Sequence, residues 1–358
     1  MARITWLDSC RGMAILLLIA IHYIGALESR AVISLELLEY IQAFLRVATP
    51  FFILTFGFTY YVAHRKLLTK NSIGAFYNQK LCKRIAQIFL ARQLIVVILA
   101  FRFPEQANGL YEILLYQSFS MGGEILTFYL LALIVAPLNI WMLNKIANWQ
   151  YVLIWLIVYA CAYYIGTHFV DSDSAGVLRL LFLDVYPFFP LMFLAAFGML
   201  IGQFYFSVNS NQTRVNVLLP IAMFLLLFGG TGINVISEQP IHDLAIALFK
   251  APPHFLYLSL YGGVTVLLIL ILAALTEHKL IPQTLSRVLA VVGRNTLIAY
   301  VAHYTLYLPS ILAKLYKPVI WLEVVGFMVM LFTSFVLIYV WDTYKNNMKS
   351  KTVTKEPI

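Results

Sequence analysis

Long runs of apolar residues constrain this sequence more than any other feature. The stretches 13–24 and 253–275 hold few or no charged residues over most of the length that a helix needs to cross a bilayer. Hydrophobic residues make up 62% of the chain and charged residues 11%, whereas roughly a quarter of the residues of an ordinary soluble domain are charged. The runs do not alternate polar with apolar residues, as the strands of a membrane barrel do. We therefore predict an all-α, polytopic integral membrane protein.

A window of about 19 residues predicts ten membrane-spanning helices. One membrane domain is predicted for residues 1–342, followed by a short polar tail at 343–358. The segment 177–185 is a candidate for a helix along the membrane interface. The ten predicted spans are 10–26, 43–64, 86–102, 122–143, 150–168, 187–206, 215–234, 255–276, 288–309 and 318–341.

The distribution of Lys and Arg predicts the orientation of these helices. Fifteen of the cations lie at the amino terminus or after even-numbered helices, and six lie on the opposite side. Because cytoplasmic loops are the basic ones, both termini are predicted to be cytoplasmic, which requires an even number of helices. The net charge of +9 is then a signal of topology. We expect contact with membrane lipid and no binding of nucleic acid.

Ionisable residues inside the apolar segments are the candidates for function. Each costs about 2.5–3.5 kcal/mol on insertion scales, so a reason for its position is expected. No role is predicted for Arg46 or Arg92, and the three cysteines have no spacing typical of a metal site, so no metal is expected. The candidate set consists of Arg11, His22, Arg46, Arg92, Glu124, Arg294 and His303.

The first helix places two of these residues on one face. Arg11 and His22 are eleven residues apart, which is close to three full turns, so both side chains project from nearly the same side, roughly 16 Å apart along the axis. An imidazole is the group whose ordinary pKa lets it take a proton from a hydroxyl near neutral pH. The alternative is that Arg11 reaches the lipid headgroups and His22 makes a hydrogen bond between helices.

Several segments are similar to one family of membrane enzymes. The string WLDSCRGMAI at 6–15, with His22 beyond it, resembles the opening of the acyltransferase family 3 membrane proteins, where an Arg and a His separated by ten residues mark the first helix. Residues 50–58 (PFFILTFGF) resemble the second helix of that family. Residues 76–85 (FYNQKLCKRI) resemble its basic segment before the third helix, with Lys80 and Lys83 in place of two arginines.

Later segments are similar to particular branches of the superfamily. Residues 123–130 (GEILTFYL) and 292–297 (VGRNTL) resemble the membrane proteins that succinylate periplasmic glucans. Residues 187–190 (PFFP) and the Pro252–Pro253 pair resemble the heparan glucosaminide acetyltransferase relatives. The resemblance covers most of the chain and leaves the branch open.

The resemblance implies a membrane acyltransferase. Such an enzyme takes an acyl group from a cytoplasmic acyl-CoA and delivers it to a hydroxyl of an extracytoplasmic carbohydrate or glycan. Acetyl is the expected group, as in polysaccharide O-acetylation, and succinyl is the second. No bound cofactor is expected, because acyl-CoA acts as a co-substrate.

The predicted catalytic residues are His22, Arg11 and Glu124. His22 is the expected general base or acyl-handling group, and Arg11 supplies a cation on the same helix face. Glu124 lies at the outer end of the fourth predicted helix. It is expected to orient or charge-stabilise His22 or to bind sugar hydroxyls, the alternative being one more exposed carboxylate in an outer loop.

Two further sets of residues are predicted to bind the substrates. Lys80, Lys83 and Arg84 are expected to hold the phosphates of coenzyme A, unless they serve only as positive-inside anchors. The second set is expected to polarise the thioester carbonyl or orient the acceptor; it consists of Arg294, Asn295 and His303. The alternative for His303 is a hydrogen-bonded core histidine among Tyr300, Tyr304 and Tyr307.

Two other classes of protein remain open at this stage. A secondary transporter of an anion or a lipid-linked sugar also carries intramembrane Arg and His, although no internal repeat typical of transporters is visible. A scaffold or sensor without chemistry is the third. The expected location is the inner (cytoplasmic) cell membrane, and a protein of a glycan-assembly pathway is an expected partner.

Overall fold

A computed structural model describes residues 4–28, 35–65, 74, 77–102, 109–117, 123–170, 176–305 and 320–353. Almost all of this described part is helical, apart from an isolated bridge between Lys250 and Pro253. The helices are α1 Thr5–Glu28, α2 Leu35–Leu45, α3 Ala48–His64, α4 Gln79–Arg102, α5 Leu110–Leu114, α6 Glu124–Lys145, α7 Asn148–His168, α8 Gly176–Phe182, α9 Phe188–Ser207, α10 Asn211–Ile236, α11 Pro240–Ala245, α12 Phe255–Glu277, α13 Gln283–Arg294, α14 Thr296–Thr305 and α15 Ile320–Val353.

The predicted all-α membrane architecture is confirmed. Within the described residues, nine segments are long and apolar enough to cross a membrane, and the bent pair α13–α14 makes ten if it counts as one span. The first two predicted spans began too late. The second span is built from α2 and α3, because Pro50 in the first turn of α3 has no N–H and disfavours helix in the residues before it.

The third predicted span is also longer than expected. The Asn78 side chain accepts hydrogen bonds from the backbone N–H groups of Lys80 and Leu81, at 3.0 and 3.1 Å, and so caps a helix that begins at Gln79. The basic residues expected before this helix therefore lie in its first two turns.

The prediction of one continuous helix over 288–309 is wrong. Helix α13 ends at Arg294, Asn295 has non-helical dihedral angles (φ −118°, ψ 33°), and α14 leaves at an angle of 84°. The break is stabilised by the Asn295 side chain, which donates to the Val291 carbonyl at 3.0 Å. Residues 306–309 of the predicted helix lie outside the described residues.

The end of the last helix also differs from the prediction. Helix α15 runs on to Val353, so that Asp342 lies within a helix rather than just beyond the end of the predicted span 318–341. At 177–185, where an interfacial helix was a candidate, the chain forms the short helix α8 and an irregular turn.

The chain forms two compact units, one of residues 1–48 and 271–358 and the other of residues 49–270. In the first unit, α1 packs closely against α13. A methyl group on Gly12 would overlap the Leu289 carbonyl, and one on Gly293 would overlap the Asp8 carbonyl. The two backbones approach so closely because neither position has a side chain, as small residues allow in membrane helices.

The second unit uses the same device and adds a buried polar pair. Gly57 and Gly198 bring α3 and α9 together, because a methyl group on either would overlap a backbone carbonyl of the other helix. Between α6 and α7, the Tyr151 hydroxyl donates to Asn139 Oδ1 at 3.0 Å, and Asn139 Nδ2 donates to the Val135 carbonyl at 3.4 Å. This buried pair is called the Asn139–Tyr151 pair below.

Candidate functional site

Two histidines from different helices meet inside the first unit. The rings of His22 on α1 and His303 on α14 have centroids 5.6 Å apart and an interplanar angle of 30°. Tyr304 packs on both of them, at 5.7 Å from His22 and 4.2 Å from His303, and Tyr300 lies 5.0 Å from His303. The structure therefore joins two residues that lie 281 positions apart in the sequence.

His303 is the more constrained of the two. Only 1% of its surface is exposed, and neither Nδ1 nor Nε2 has a hydrogen-bond partner among the described residues. A neutral imidazole has one N–H donor and one acceptor nitrogen. Leaving such a group buried without a partner costs about 1–3 kcal/mol. Tyr300 and Tyr304 contact His303 through their rings, and the backbone groups of Tyr300 and Ala299 interact with its imidazole. Tyr307, the third tyrosine of the predicted alternative, lies outside the described residues, so the hydrogen-bonded core histidine stays an alternative prediction.

Arg11 contacts the helix break rather than the histidines. Its Nη2 donates to Thr296 Oγ1 at 3.0 Å, and its Nη1 lies 3.9 Å from Asp8 Oδ1. Thr296 is the first residue of α14, and His303 follows about two turns later. Arg11 therefore contacts the first residue of α14, and the histidine pair lies near the other end of that helix.

Arg294 and Asn295 share a carboxylate at the break. Arg294 Nη2 lies 2.8 Å from Asp342 Oδ2, and Asn295 Nδ2 donates to Asp342 Oδ1 at 2.9 Å. The ion pair is partly shielded, with 25% of the Arg294 side chain and 14% of the Asp342 side chain exposed. Arg294 and Asn295, two of the three residues predicted to bind substrate, therefore hold α15 against the α13–α14 bend.

Sequence reasoning missed Asp342. A signal was present, since Asp342 is the only acid between Glu323 and Glu356 and it adjoins an apolar span. A carboxylate in that position is the expected counter-ion of an intramembrane arginine.

Glu124 lies in the second unit, where it is half-buried at the first residue of α6. It interacts electrostatically with Arg92, a buried residue of α4. The Arg92 guanidinium also stacks over the Tyr116 ring at 4.1 Å and donates to Gln93 Oε1 at 2.7 Å. Gly123 leaves room for this group, because a methyl group there would come within 3.3 Å of Arg92 Nε.

The three predicted coenzyme A ligands lie on the amino-terminal turns of α4. Lys80 and Lys83 are exposed and Arg84 is half-buried. Residues three and four apart lie on one face of a helix, so the three cations form a single basic surface. The amino end of a helix carries a partial positive charge, which adds to the attraction of this surface for anions.

The structure groups the nine predicted residues by unit. Glu124 and the three basic residues of α4 belong to the second unit, and the remaining five belong to the first. Within the first unit, His22 and His303 are in contact, while the other three lie around the α13–α14 break.

The structure has apolar spans, two imidazoles in contact and a partly shielded ion pair. These features define a multi-pass membrane protein with a polar site among its helices. The family model for an acyltransferase domain, that of acyltransferase family 3, matches residues 4–340. The chain therefore belongs to acyltransferase family 3 and is a membrane acyltransferase in general kind. A comparison of the sequence with curated proteins found no match.

Proposed function

We propose that this protein transfers an acyl group from cytoplasmic acyl-CoA to a hydroxyl of an extracytoplasmic carbohydrate or glycan, with His22 as the general base. The observation that carries the proposal is the contact between His22 and the buried, unpartnered His303. Membership of the acyltransferase family supplies the reaction class. In this pair the half-buried His22 is the group that accepts a proton, and the buried His303 is the group that binds a reacting atom.

The reaction needs one proton to move in step with one acyl group. The acceptor hydroxyl oxygen attacks the thioester carbonyl carbon, while His22 takes the hydroxyl proton. The carbon–sulfur bond then breaks, and the proton passes from His22 to the departing coenzyme A thiolate. An ester and a free thiol result, with no net change in protons or electrons.

His303 is proposed to bind the carbonyl oxygen or the acceptor through its unpartnered nitrogens. A donor aimed at the oxygen that becomes negative in the transition state accelerates acyl transfer by about 10²–10³-fold. Arg294 and Asn295 are proposed to act with it from the helix break, and Glu124, in the second unit, is proposed to bind sugar hydroxyls. For His303, the buried and unpartnered ring is the supporting observation.

The donor is proposed to bind at the basic surface of α4. Lys80 and Lys83 are exposed, and the half-buried Arg84, which donates to Gln87 Oε1 at 3.4 Å, adds a third positive charge to the same surface. Lysine binds phosphate as a point charge, without the paired hydrogen bonds of arginine. Arg11 is proposed to act with the other residues of the first unit at the helix break, where it contacts Thr296. Acetyl-CoA is the first donor to test and succinyl-CoA the second.

The experiment is acyl transfer in membranes of the host from radiolabelled acetyl-CoA and succinyl-CoA to surface glycans. Membranes carry the wild type, His22→Ala or His168→Ala at matched expression. His168 is an exposed histidine at the end of α7 and serves as the control. Label in the glycan fraction with the wild type and the control, and its loss with His22→Ala, is the expected result.

Two outcomes would contradict the proposal. Equal transfer by His22→Ala and the wild type removes His22 as the base. No transfer by the wild type with either donor leaves a secondary transporter of an anion or a lipid-linked sugar as the next hypothesis, to be tested by substrate uptake into vesicles. The labelled glycan would also identify the acceptor and any partner of a glycan-assembly pathway.

A further inference from the structure

A second group of buried ionisable residues lies outside the site described above. Asp184 lies in the turn between α8 and α9, and Lys250 lies in the segment between α11 and α12. Both belong to the second unit, and each has only 8% of its surface exposed. Burial of two charged residues at this level is uncommon unless they are paired.

The Asp184 carboxyl group has one open hydrogen-bonding position. Its Oδ1 accepts from the backbone N–H of Val185 at 2.7 Å, while the buried Oδ2 has no hydrogen-bond partner among the described residues. Burial raises the pKa of this carboxyl, and the Val185 N–H, Arg179 and Lys250 oppose the rise. Whether or not Oδ2 carries a proton, it makes no hydrogen bond within the described part of the chain.

Lys250 is held in place by an aromatic ring rather than by a carboxylate. Its Nζ lies 4.3 Å from the ring centroid of Tyr186, and the Tyr186 hydroxyl lies 3.4 Å from the hydroxyl of Thr49. A cation over a tyrosine ring is attracted by its electron-rich face. Lys250 influences Asp184 electrostatically, but no ion pair joins the two side chains in the part of the chain that the structure describes.

The Asp184 carboxyl and the Lys250 ammonium interact electrostatically without an ion pair among the described residues, and this combination favours a neutral ligand with both donors and acceptors. An anion would be repelled by Asp184, and a cation would be repelled by Lys250 and by Arg179, which also acts on this carboxyl. A sugar hydroxyl donates one hydrogen bond and accepts others, so neighbouring hydroxyls satisfy both groups at once. The Lys and Arg count predicts that both segments lie on the extracytoplasmic side, where a glycan acceptor arrives.

We infer that Asp184, Lys250 and Tyr186 form a subsite that binds hydroxyls of the carbohydrate acceptor. One hydroxyl donates to Asp184 Oδ2 and a neighbouring one accepts from Lys250 Nζ, while Tyr186 positions the ammonium. The inference rests on the proposed acyl transfer to a glycan and adds a place where that glycan binds. The competing explanation is that Asp184 and Lys250 only hold the two segments in place.

The test separates these explanations by measuring binding and turnover in the full-length protein in nanodiscs. The probe is polysaccharide purified from the host surface, and the variants are Asp184→Asn and Lys250→Met. Asp243→Asn is the matched control, because Asp243 lies in the neighbouring segment and its carboxylate already accepts from Ser237 at 2.6 Å. Direct binding of the polysaccharide is measured by biolayer interferometry, and the KM values for polysaccharide and acetyl-CoA are measured by label transfer.

The subsite predicts a selective loss. Removing one hydrogen bond to a charged group weakens binding by about tenfold or more, so Kd and KM for the polysaccharide rise by that factor in each variant. The KM for acetyl-CoA and both values in Asp243→Asn stay unchanged. A merely structural role would instead change kcat and both KM values together, or lower the yield of folded protein.

The binding measurement keeps this inference separate from the proposed function. If the wild type binds the polysaccharide but transfers no label, and binding is lost in both variants, the acyl transfer fails and the subsite stands. If the variants bind as the wild type does, or the wild type does not bind the polysaccharide, the subsite is overturned.

Discussion

Two polar pairs, one in each unit, join neighbouring helices in different ways. In the Asn139–Tyr151 pair, the amide oxygen accepts from the tyrosine hydroxyl and the amide nitrogen donates to a backbone carbonyl. In the His22–His303 pair, the rings are in contact but both nitrogens of His303 lack a partner within the described chain. The first pair uses its hydrogen-bonding groups within the protein, whereas the nitrogens of His303 in the second do not. Unused hydrogen-bonding capacity, rather than burial alone, therefore distinguishes a site from a structural contact.

The largest expected effect on acyl transfer follows from replacing His303 in the His22–His303 pair. His303→Leu keeps the volume and removes both nitrogens, so transfer per folded molecule should fall by about 10²–10³-fold if one nitrogen binds the reacting carbonyl. The apparent Tm should stay the same or rise, because a buried unpartnered polar group is lost. Label transfer and a thermal unfolding scan on the same preparation check both parts. A fall in Tm with transfer retained would give His303 a structural role.

The matched change in the Asn139–Tyr151 pair should lower stability and leave transfer nearly unchanged. Asn139→Leu leaves the buried Tyr151 hydroxyl without a partner, which costs about 1–3 kcal/mol of stability. The apparent Tm should fall, while transfer per folded molecule stays within a few-fold of the wild type. Tyr151→Phe in the same background should restore part of the lost Tm, since it removes the stranded hydroxyl. If the double variant is no more stable than Asn139→Leu, the interpretation of this pair is wrong.

The Asp342 carboxylate at the helix break should contribute less to stability than a fully buried ion would. Asp342→Ala removes the partner of Arg294 and Asn295, and we expect a loss of about 2 kcal/mol, because the pair is only partly shielded. Asp342→Asn keeps the shape and should lose less. Thermal scans at low and high salt distinguish the two variants. An unchanged Tm in Asp342→Ala would mean that the pair does not stabilise the bend.

A difference of similar size is expected at the glycines that set helix spacing. Gly293→Ala places a methyl group on the Asp8 carbonyl, and such overpacking costs about 1–3 kcal/mol. Gly230→Ala in the second unit is the control, because its nearest atom would be a Leu260 methyl group at 3.8 Å. We expect a lower Tm for the first variant and an unchanged or slightly higher Tm for the second. Equal Tm values would show that α1 and α13 can separate without loss.

The smallest expected effect concerns the pH dependence of stability. Because burial raises the pKa of Asp184, the native state binds a proton over a pH range in which the unfolded chain has released it. Native stability from this group therefore falls as pH rises from the ordinary aspartate value past the raised one. Asp184→Asn removes this dependence, so the Tm of the variant relative to wild type should rise with pH. A constant Tm difference from pH 4 to pH 8 would contradict the direction of the shift.

Much of the fold was predictable because the membrane imposes a length and a composition on each span. The ten apolar segments and the common face of Arg11 and His22 follow from hydropathy and helical period. The break at Asn295 does not, since a window of about 19 residues averages over one polar residue. That break depends on hydrogen bonds to Val291 and to Asp342.

The candidate site was predictable in its parts but not in its arrangement. His22 and His303 are visible as ionisable residues in apolar segments, yet nothing in their separate helices predicts that the rings meet. The cluster of Asp184 and Lys250 is even harder to predict from the sequence. Its members lie in two irregular segments where no periodicity relates one residue to another, so only the folded chain places them together.

The most direct test of the central claim is a double-mutant cycle on the histidine pair. Acyl transfer is measured for the wild type, His22→Ala, His303→Ala and the double variant, each normalised to folded protein. If the two imidazoles act in one step, the double variant should be about as slow as the slower single variant, because residues that act as a unit are strongly non-additive. Effects that multiply, or a His303→Ala enzyme as active as the wild type, would contradict a shared acyl-transfer site.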